Sequence, residues 1–435
     1  MQKHVRNAIS HPLIKGSTIV LVGSLIANLF NYTFSILILG HVFHPADYGT
    51  YSALMSFLGL FGIFPSTFTT IFAKFAAMYK AKNDIQNIQA LFIGGLRIVT
   101  IFGSIVFLLL LISTPYISAF FHIQDMTLLF LIFLTIFLSI VASLPTGIIQ
   151  GEIRLYLMSL YTLSTPLIKV IIGVFLLFLG LKIFGVVVAI FISSLIPLIF
   201  LLLMFRRSYK IQNAKSIDQS FFFKEFRGYS LEFFLANLGI TILASSDVIF
   251  VKHFFSPDKA GQYAALAAMG RSIFYLTSPI YFVFFPLIAQ KKERKESIFN
   301  TVLLAICIIT LGSVGLSFVY FLFPTLILSM FFPAHEYKSL VSYLGPFSLY
   351  IIIFSIAMLF NNFLLSIGKG RVYKINLLVA GVFMALIYLF HASFYQIITV
   401  LFITAFLLLA LQLLYYVSTT YGKKKIPRIH NYSNI

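Results

Sequence analysis

The sequence predicts an all-α polytopic membrane protein, with twelve transmembrane helices in two parallel six-helix repeats. Three observations lead there. The chain is 60% hydrophobic and only 10% charged, whereas soluble domains carry roughly 25% charged residues. Apolar runs of about twenty residues recur from end to end, each long enough to cross a ~30 Å hydrocarbon core as a helix. They lack the apolar/polar alternation of barrel strands, so helices win. Finally, the stretch His41–Met55, HVFHPADYGTYSALM, recurs as His253–Ala267, HFFSPDKAGQYAALA, at a constant offset of 212. Seven of those fifteen positions are identical. A weaker echo of Gly151, Arg154 and Tyr156 falls at Gly368, Arg371 and Tyr373. Internal repeats of this kind organise a fold before any local reading does.

Taken in order, the runs of the first half are Leu13–Gly40, Tyr48–Met78, Ile88–Ser113, Leu128–Ile149, Leu155–Leu179 and Phe184–Phe205. Those of the second half are Tyr229–Val251, Gly261–Leu287, Ile298–Leu322, Leu340–Ile367, Val372–His391 and Ile397–Val417. The polar segment from Arg206 to Arg227 divides them, which sets an N-terminal lobe at 1–212 and a C-terminal lobe at 213–435. A six-helix unit repeated in tandem keeps its orientation, so the repeats are related by an axis along the membrane normal.

A net charge of +19 would suggest nucleic acid in a soluble protein. Here most Lys and Arg sit in short loops, where they report topology. One set of loops carries Lys3, Arg6, Lys15, Lys80, Lys82, Arg154, the basic linker, Lys291 to Lys295, Lys369, Arg371, Lys374 and the tail from Lys423 to Arg428. The opposite set carries only Lys182, Lys252, Lys259 and Lys338. This asymmetry places both termini and the linker in the cytoplasm and both copies of the repeated turn outside, in an inner (cytoplasmic) membrane. The first helix, with no small-residue cleavage site after it, reads as uncleaved. The single Cys307 gives no disulfide framework. His41, His44 and His253 have no carboxylate or thiolate cluster, so no metal site is expected. No glycine-rich phosphate loop precedes a Lys-Ser/Thr pair, so no ATP hydrolysis is expected. The outward loops are too short to house a soluble-style active site, and the chain reads as no enzyme.

In the repeated turn, Pro45 and Pro257 end one helix and open a turn. Gly49 and Gly261 fall just inside the next helix, where a missing side chain permits close backbone approach. Tyr51 and Tyr263 are placed at headgroup depth, supplying an interfacial belt in a chain without Trp. The turn reads either as a structural corner or as the hinge of an external gate.

The pattern Leu39, Gly40, Pro45, Tyr48, Gly49, Tyr51 resembles the Wzx-type polysaccharide flippases, and so do the Gly147–Arg154 stretch (GIIQGEIR) and Asp247 ahead of the second turn. These belong to the multidrug/oligosaccharidyl-lipid/polysaccharide (MOP) exporter superfamily. The resemblance implies a MATE-like fold and movement of an undecaprenyl-diphosphate-linked oligosaccharide between leaflets by alternating access. The lipid II flippases of that superfamily generally have fourteen helices, which sets this twelve-helix chain apart from them.

Ionisable groups within spans are functional candidates. Lys169 is the deepest, near the middle of the fifth helix. Arg97 sits about a third of the way into the third run and Arg271 at similar depth, from the other side, in the eighth. Asp247 is the deep carboxylate, at a depth matching Arg271. It reads either as half of an interhelical ion pair or as the binding site of a coupling ion, H⁺ or Na⁺. Three cations against one carboxylate give the interior a positive excess, which suits a diphosphate. Asn28, Asn31 and Asn237, with Gln150, Asn361 and Asn362, are candidates to face the same cavity and meet sugar hydroxyls. No cofactor is expected. The expected partners are a lipid-linked oligosaccharide, membrane lipids and a glycan polymerase with its chain-length machinery, around a monomer. The competing readings are a multidrug cation antiporter of the same superfamily, which would carry the opposite charge excess, and a membrane glycan polymerase, which would need a large outward loop.

Overall fold

The computed structural model describes residues 12–208, 231–293 and 296–421. Lys3, Arg6, most of the basic linker and the tail from Gly422 lie outside them. Helix α1 runs Pro12–Tyr32, passes through a π-helical stretch, Thr33–Ile38, and ends as Leu39–Val42. α2 comprises Pro45–Phe61 and Ile63–Ala81, joined at Gly62. The first half continues with α3 (Ile85–Ile112), α4 (Met126–Gly151), α5 (Leu155–Phe178) and α6 (Lys182–Ser208). The second half holds α7 (Leu231–Phe254), α8 (Pro257–Glu293), α9 (Phe299–Leu322), α10 (Val341–Ser366), α11 (Tyr373–Leu389) and α12 (Phe394–Tyr421). Among the described residues there is no strand, and eleven of these helices are long and apolar enough to span a bilayer. The other, α8, is 37 residues long.

The ends follow from local chemistry. Pro45 and Pro257 are each the first residue of a helix, where a missing N–H costs nothing. Asp84 caps α3 by accepting from the Asn87 N–H at 3.1 Å, and Asp125 caps α4 through Thr127 at 2.9 Å. Two eight-residue helices escape a reading based on spans: Thr114–Phe121 after α3 and Pro324–Phe331 after α9. Each follows the third helix of its repeat, so the duplication extends beyond the turns. Below, the side bearing the repeated turns is the turn face and the other is the chain-end face, where Pro12 and Tyr421 both lie.

Small residues set the close packing. α4 lies on the second part of α2 because Gly147 and Gly151 present no side chain. A Cβ on Gly151 would stand 2.3 Å from the Ala73 carbonyl oxygen. In the second repeat the Asn376 side chain donates to the Ala236 carbonyl at 2.9 Å and to Asn361 Oδ1 at 2.8 Å. It accepts in turn from Gln412 at 3.1 Å. That buried network ties α7, α10, α11 and α12 together. It withdraws Asn361 from the cavity lining expected of it.

The cores report how the repeats meet. One large core joins Phe34, Leu39, Phe43, Tyr48 and Tyr51 of the first repeat to Val251, Tyr263, Phe332 and Tyr350 of the second, on the turn-face side. Toward the chain-end face the clusters separate. One, around Phe75, Ile88 and Phe205, lies in the first repeat, with Ile249 joining it nearer the turn face, and another, around Ile288, Leu359 and Phe363, belongs to the second. The turn face is therefore the side on which the two repeats share a core.

Candidate functional site

The two copies of the repeated turn pack against each other. α2 crosses α8 where Gly49 meets Gly261. A Cβ on Gly49 would lie 2.7 Å from the Gly261 nitrogen, and one on Gly261 only 1.6 Å from the Pro45 carbonyl oxygen. Polar ties surround the crossing. Lys252 Nζ donates to Thr50 Oγ1 at 2.9 Å, His44 meets Glu336 at 2.9 Å, and the His253 ring stacks on Phe120 with centroids 4.1 Å apart. Lys252 is thus no loop residue: α7 continues past it and buries it between the repeats. The turn face is closed.

Directly beneath the crossing is a cavity of about 260 Å³. The first repeat contributes Asn31, Ser35, Tyr51 and Lys169 to it, and the second Val248, Ala264, Ala268 and Arg271. Lys169 reaches it from the interior of α5, donating to Asn31 Oδ1 on α1 at 2.5 Å, with the Phe34 ring centroid 5.5 Å from its ammonium. Ser35 and Tyr51 hydroxyls are 2.8 Å apart across α1 and α2. On the opposite wall Arg271 forms an ion pair with Asp247, whose second oxygen accepts from Tyr263 at 3.0 Å. Asp247 is fully buried while the Arg271 side chain remains 21% exposed toward the cavity. The carboxylate is thus engaged on both oxygens, and two cationic heads face one cavity.

The remaining sequence candidates part company. Arg97 lies with exposed Ile93, Ile101 and Ile105 on one face of α3, opposite the buried face of Gly95, Val99 and Gly103. It belongs to the apolar outer surface, where a long side chain extends toward the interface. Asn28 lines a second, apolar cavity across α1. Asn237 bonds back to the Phe233 carbonyl at 2.9 Å. It falls on the α7 face that carries Phe234, Ser245 and Val248 toward the first repeat, roughly 16 Å along the helix from Val248 at 1.5 Å per residue. Gln150 is exposed, and Asn362 bonds to Met358 of its own helix. Tyr51 and Tyr263 are not in an interfacial belt. They sit six residues after the turn proline, on the inner helix face, and are 3% and 0% exposed. Their recurrence at equal places in the two turns was the available signal. Among the described residues no cluster of His, Cys, Asp or Glu could hold a metal.

A family model described as "Polysaccharide biosynthesis protein" matches residues 13–292. The chain belongs to that family. The matched span includes α1 through α8, and with them Lys169, Asp247 and Arg271. No curated protein shows significant sequence similarity to the chain. Its fold is that of MOP superfamily transporters. A multidrug resistance MATE family transporter in an inward-facing conformation superposes with a TM-score of 0.73 at 12% identity, covering 94% of this chain and 100% of the other. A eukaryotic MATE transporter gives 0.67 at 14% identity, with 94% and 95% covered. A MOP transporter from Pyrococcus furiosus, described as having a binding pocket of reversed polarity, gives 0.61 at 14%, with 95% and 97% covered. This family member is a multi-pass membrane protein whose described residues form twelve long helices in two repeats.

Proposed function

We propose that the protein moves an undecaprenyl-diphosphate-linked oligosaccharide repeat unit across the cytoplasmic membrane, by alternating exposure of the cavity between its repeats, for cell-surface polysaccharide assembly. The observation that carries this reading is the pair of cations, Lys169 and Arg271, facing one cavity whose nearest carboxylate is already bonded to Arg271 and Tyr263. A diphosphate entering the membrane interior needs compensating charge, and a guanidinium suits phosphate by paired hydrogen bonds. A drug cation would meet an ammonium and an engaged carboxylate instead. The family's link to polysaccharide biosynthesis agrees.

The basic loops put the chain-end face in the cytoplasm. The closed turn face then makes this the state that loads substrate from inside. Release requires the Gly49–Gly261 crossing to part, and Asp247–Arg271 acts as a latch beneath it. A glycan polymerase and its chain-length machinery are the consumers of the product.

Vesicles containing the purified protein and undecaprenyl-diphosphate-linked oligosaccharide test this, with translocation read by an impermeant glycosidase. Lys169→Ala and Arg271→Ala are expected to slow translocation severely. Wild-type rates in both variants would overturn the reading. In intact cells an impermeant maleimide must fail to label Lys215→Cys or Lys425→Cys in a chain with Cys307 replaced. Labelling of either reverses the orientation.

A further inference from the structure

The duplication puts the same corner in both repeats, where the fifth and sixth helices of each reach the chain-end face. In the second repeat hydrogen bonds hold that corner. Lys369, just ahead of α11, donates to the Thr419 and Thr420 hydroxyls at the end of α12, at 2.6 Å each. At the repeat offset of 212, Ser418 and Thr419 correspond to Arg206 and Arg207. The first repeat thus ends α6 with two exposed guanidinium groups where the second has hydroxyls. Across from them α5 opens at Arg154, which forms an ion pair with the buried Glu152 at 2.7 Å. Among the described residues, three cations against one carboxylate give this corner a positive excess.

An apolar groove of about 230 Å³ runs inward from the same corner, between α5 and α6. Leu157, Leu160 and Ile168 bound it on one side, and Ile196, Pro197 and Phe200 on the other. Ser164, also in the lining, turns its hydroxyl back to the Tyr161 carbonyl at 2.9 Å. Leu160 is 42% and Phe200 53% exposed, and Ile171 and Leu203 beside them are exposed too, so the groove opens on the lipid-facing surface. Helical spacing ties groove to corner. Arg207 follows Phe200 by seven residues and Ile196 by eleven, which keeps it on their face of α6, and Arg154 precedes Leu157 by three. From Leu157 to Ile168 the groove is about 17 Å long at 1.5 Å per residue. That is about half of a ~30 Å hydrocarbon core, the depth of one leaflet. We propose that groove and corner seat a phospholipid with an anionic headgroup, of the phosphatidylglycerol type, with one acyl chain along the groove and its phosphate on Arg154, Arg206 and Arg207. The groove alone takes any acyl chain. The arginines select the anion, because a guanidinium pairs with phosphate oxygens through two parallel hydrogen bonds. The bound lipid then clasps the outer edge of the first repeat, as Lys369 and the threonines clasp the second.

The test gives the full-length protein phosphatidylglycerol and phosphatidylethanolamine of matched acyl chains and reads retained lipid by native mass spectrometry. One phosphatidylglycerol is expected to be held about thirtyfold more tightly than phosphatidylethanolamine, the ratio that two charges near a membrane surface give at about 1 kcal/mol each. Arg206→Gln with Arg207→Gln should remove the preference. Leu160→Trp, which fills the groove and leaves the arginines in place, should expel the lipid. To locate it, photoreactive benzoylphenylalanine replaces Phe200, eight residues before the end of α6, or Ile308, nine after the start of α9. The two positions are similarly exposed, at 53% and 48%. In vesicles of the two lipids mixed equally, phosphatidylglycerol adducts are expected at 200 in excess over 308. Equal retention of both lipids by the wild-type protein, or equal adducts at both positions, overturns the proposal. So does a preference that survives in the double Gln variant, or lipid still held by Leu160→Trp. None of these outcomes bears on the transported substrate.

Discussion

Replacing Gly261 by Ala tests how the turn face is held shut. The new methyl would stand 1.6 Å from the Pro45 carbonyl oxygen and 2.2 Å from its carbon, both backbone atoms with no rotamer to yield. Ordinary contact begins near 3.4 Å, so α2 and α8 must separate by about 1.8 Å. Overpacking of this kind costs about 1–3 kcal/mol. Charged to the closed state alone, that shifts the closed-to-open equilibrium roughly 5- to 150-fold. Spin labels at exposed His41 and Lys338, one on each repeat, report the separation by pulsed electron paramagnetic resonance in vesicles. The distance distribution is expected to gain a longer component in Gly261→Ala. A smaller gain is expected in Gly49→Ala, where the nearest backbone atom is 2.7 Å away. Gly312→Ala, with nothing within 4 Å, should match wild type. Folded Gly261→Ala protein with an unchanged distribution would refute the argument, and so would an equal shift in Gly312→Ala.

Arg97→Ala should leave glycan export intact, measured by complementation, because the residue faces away from the cavity. Export loss as deep as that of Lys169→Ala would return it to the site. Asp247→Asn leaves Arg271 without its partner, which costs about 3–5 kcal/mol for a buried pair, and a marked fall in melting temperature in detergent is expected. For the latch, the charge swap Asp247→Arg with Arg271→Asp should recover export that both single variants lose. A double variant as inactive as the singles counts against a simple pair. Asn376→Ala strips partners from Asn361, Gln412 and the Ala236 carbonyl, each worth about 1–3 kcal/mol when left unpaired. It should lower the melting temperature well below that of Asn362→Ala, whose amide bonds only within its own helix.

Helix number was readable because bilayer thickness dictates run length, and the two-repeat plan because the turns recur. Asp247 with Arg271 was readable for a similar reason: a deep carboxylate needs a partner, and only a cation at matching depth on the adjacent helix supplies one. Depth alone could not say which way a side chain faces. Arg97 and Lys169 are both well inside the membrane, yet Arg97 is two residues from Gly95 and from Val99, half a turn off the packed face. Lys252 was counted with the outer loops because its helix outlasts the apolar run by three residues. The short helices Thr114–Phe121 and Pro324–Phe331 left no trace, since eight residues neither span a bilayer nor stand out within a loop. Tyr51 and Tyr263 were assigned by residue type to the interface, when their position relative to the turn proline puts them inside.

The core shared across the turn face bears on how the protein responds to temperature. What holds that face shut is mainly apolar surface (Phe34, Leu39, Phe43 and Tyr48 against Tyr263, Phe332 and Tyr350), with a few polar ties at its margin. Parting it toward water hydrates that surface, and hydration of apolar area raises the heat capacity. The equilibrium between closed and open forms is then curved in temperature, with the closed form losing ground on cooling as hydrophobic cohesion weakens. The gate at the turn face is therefore thermally soft in the cold.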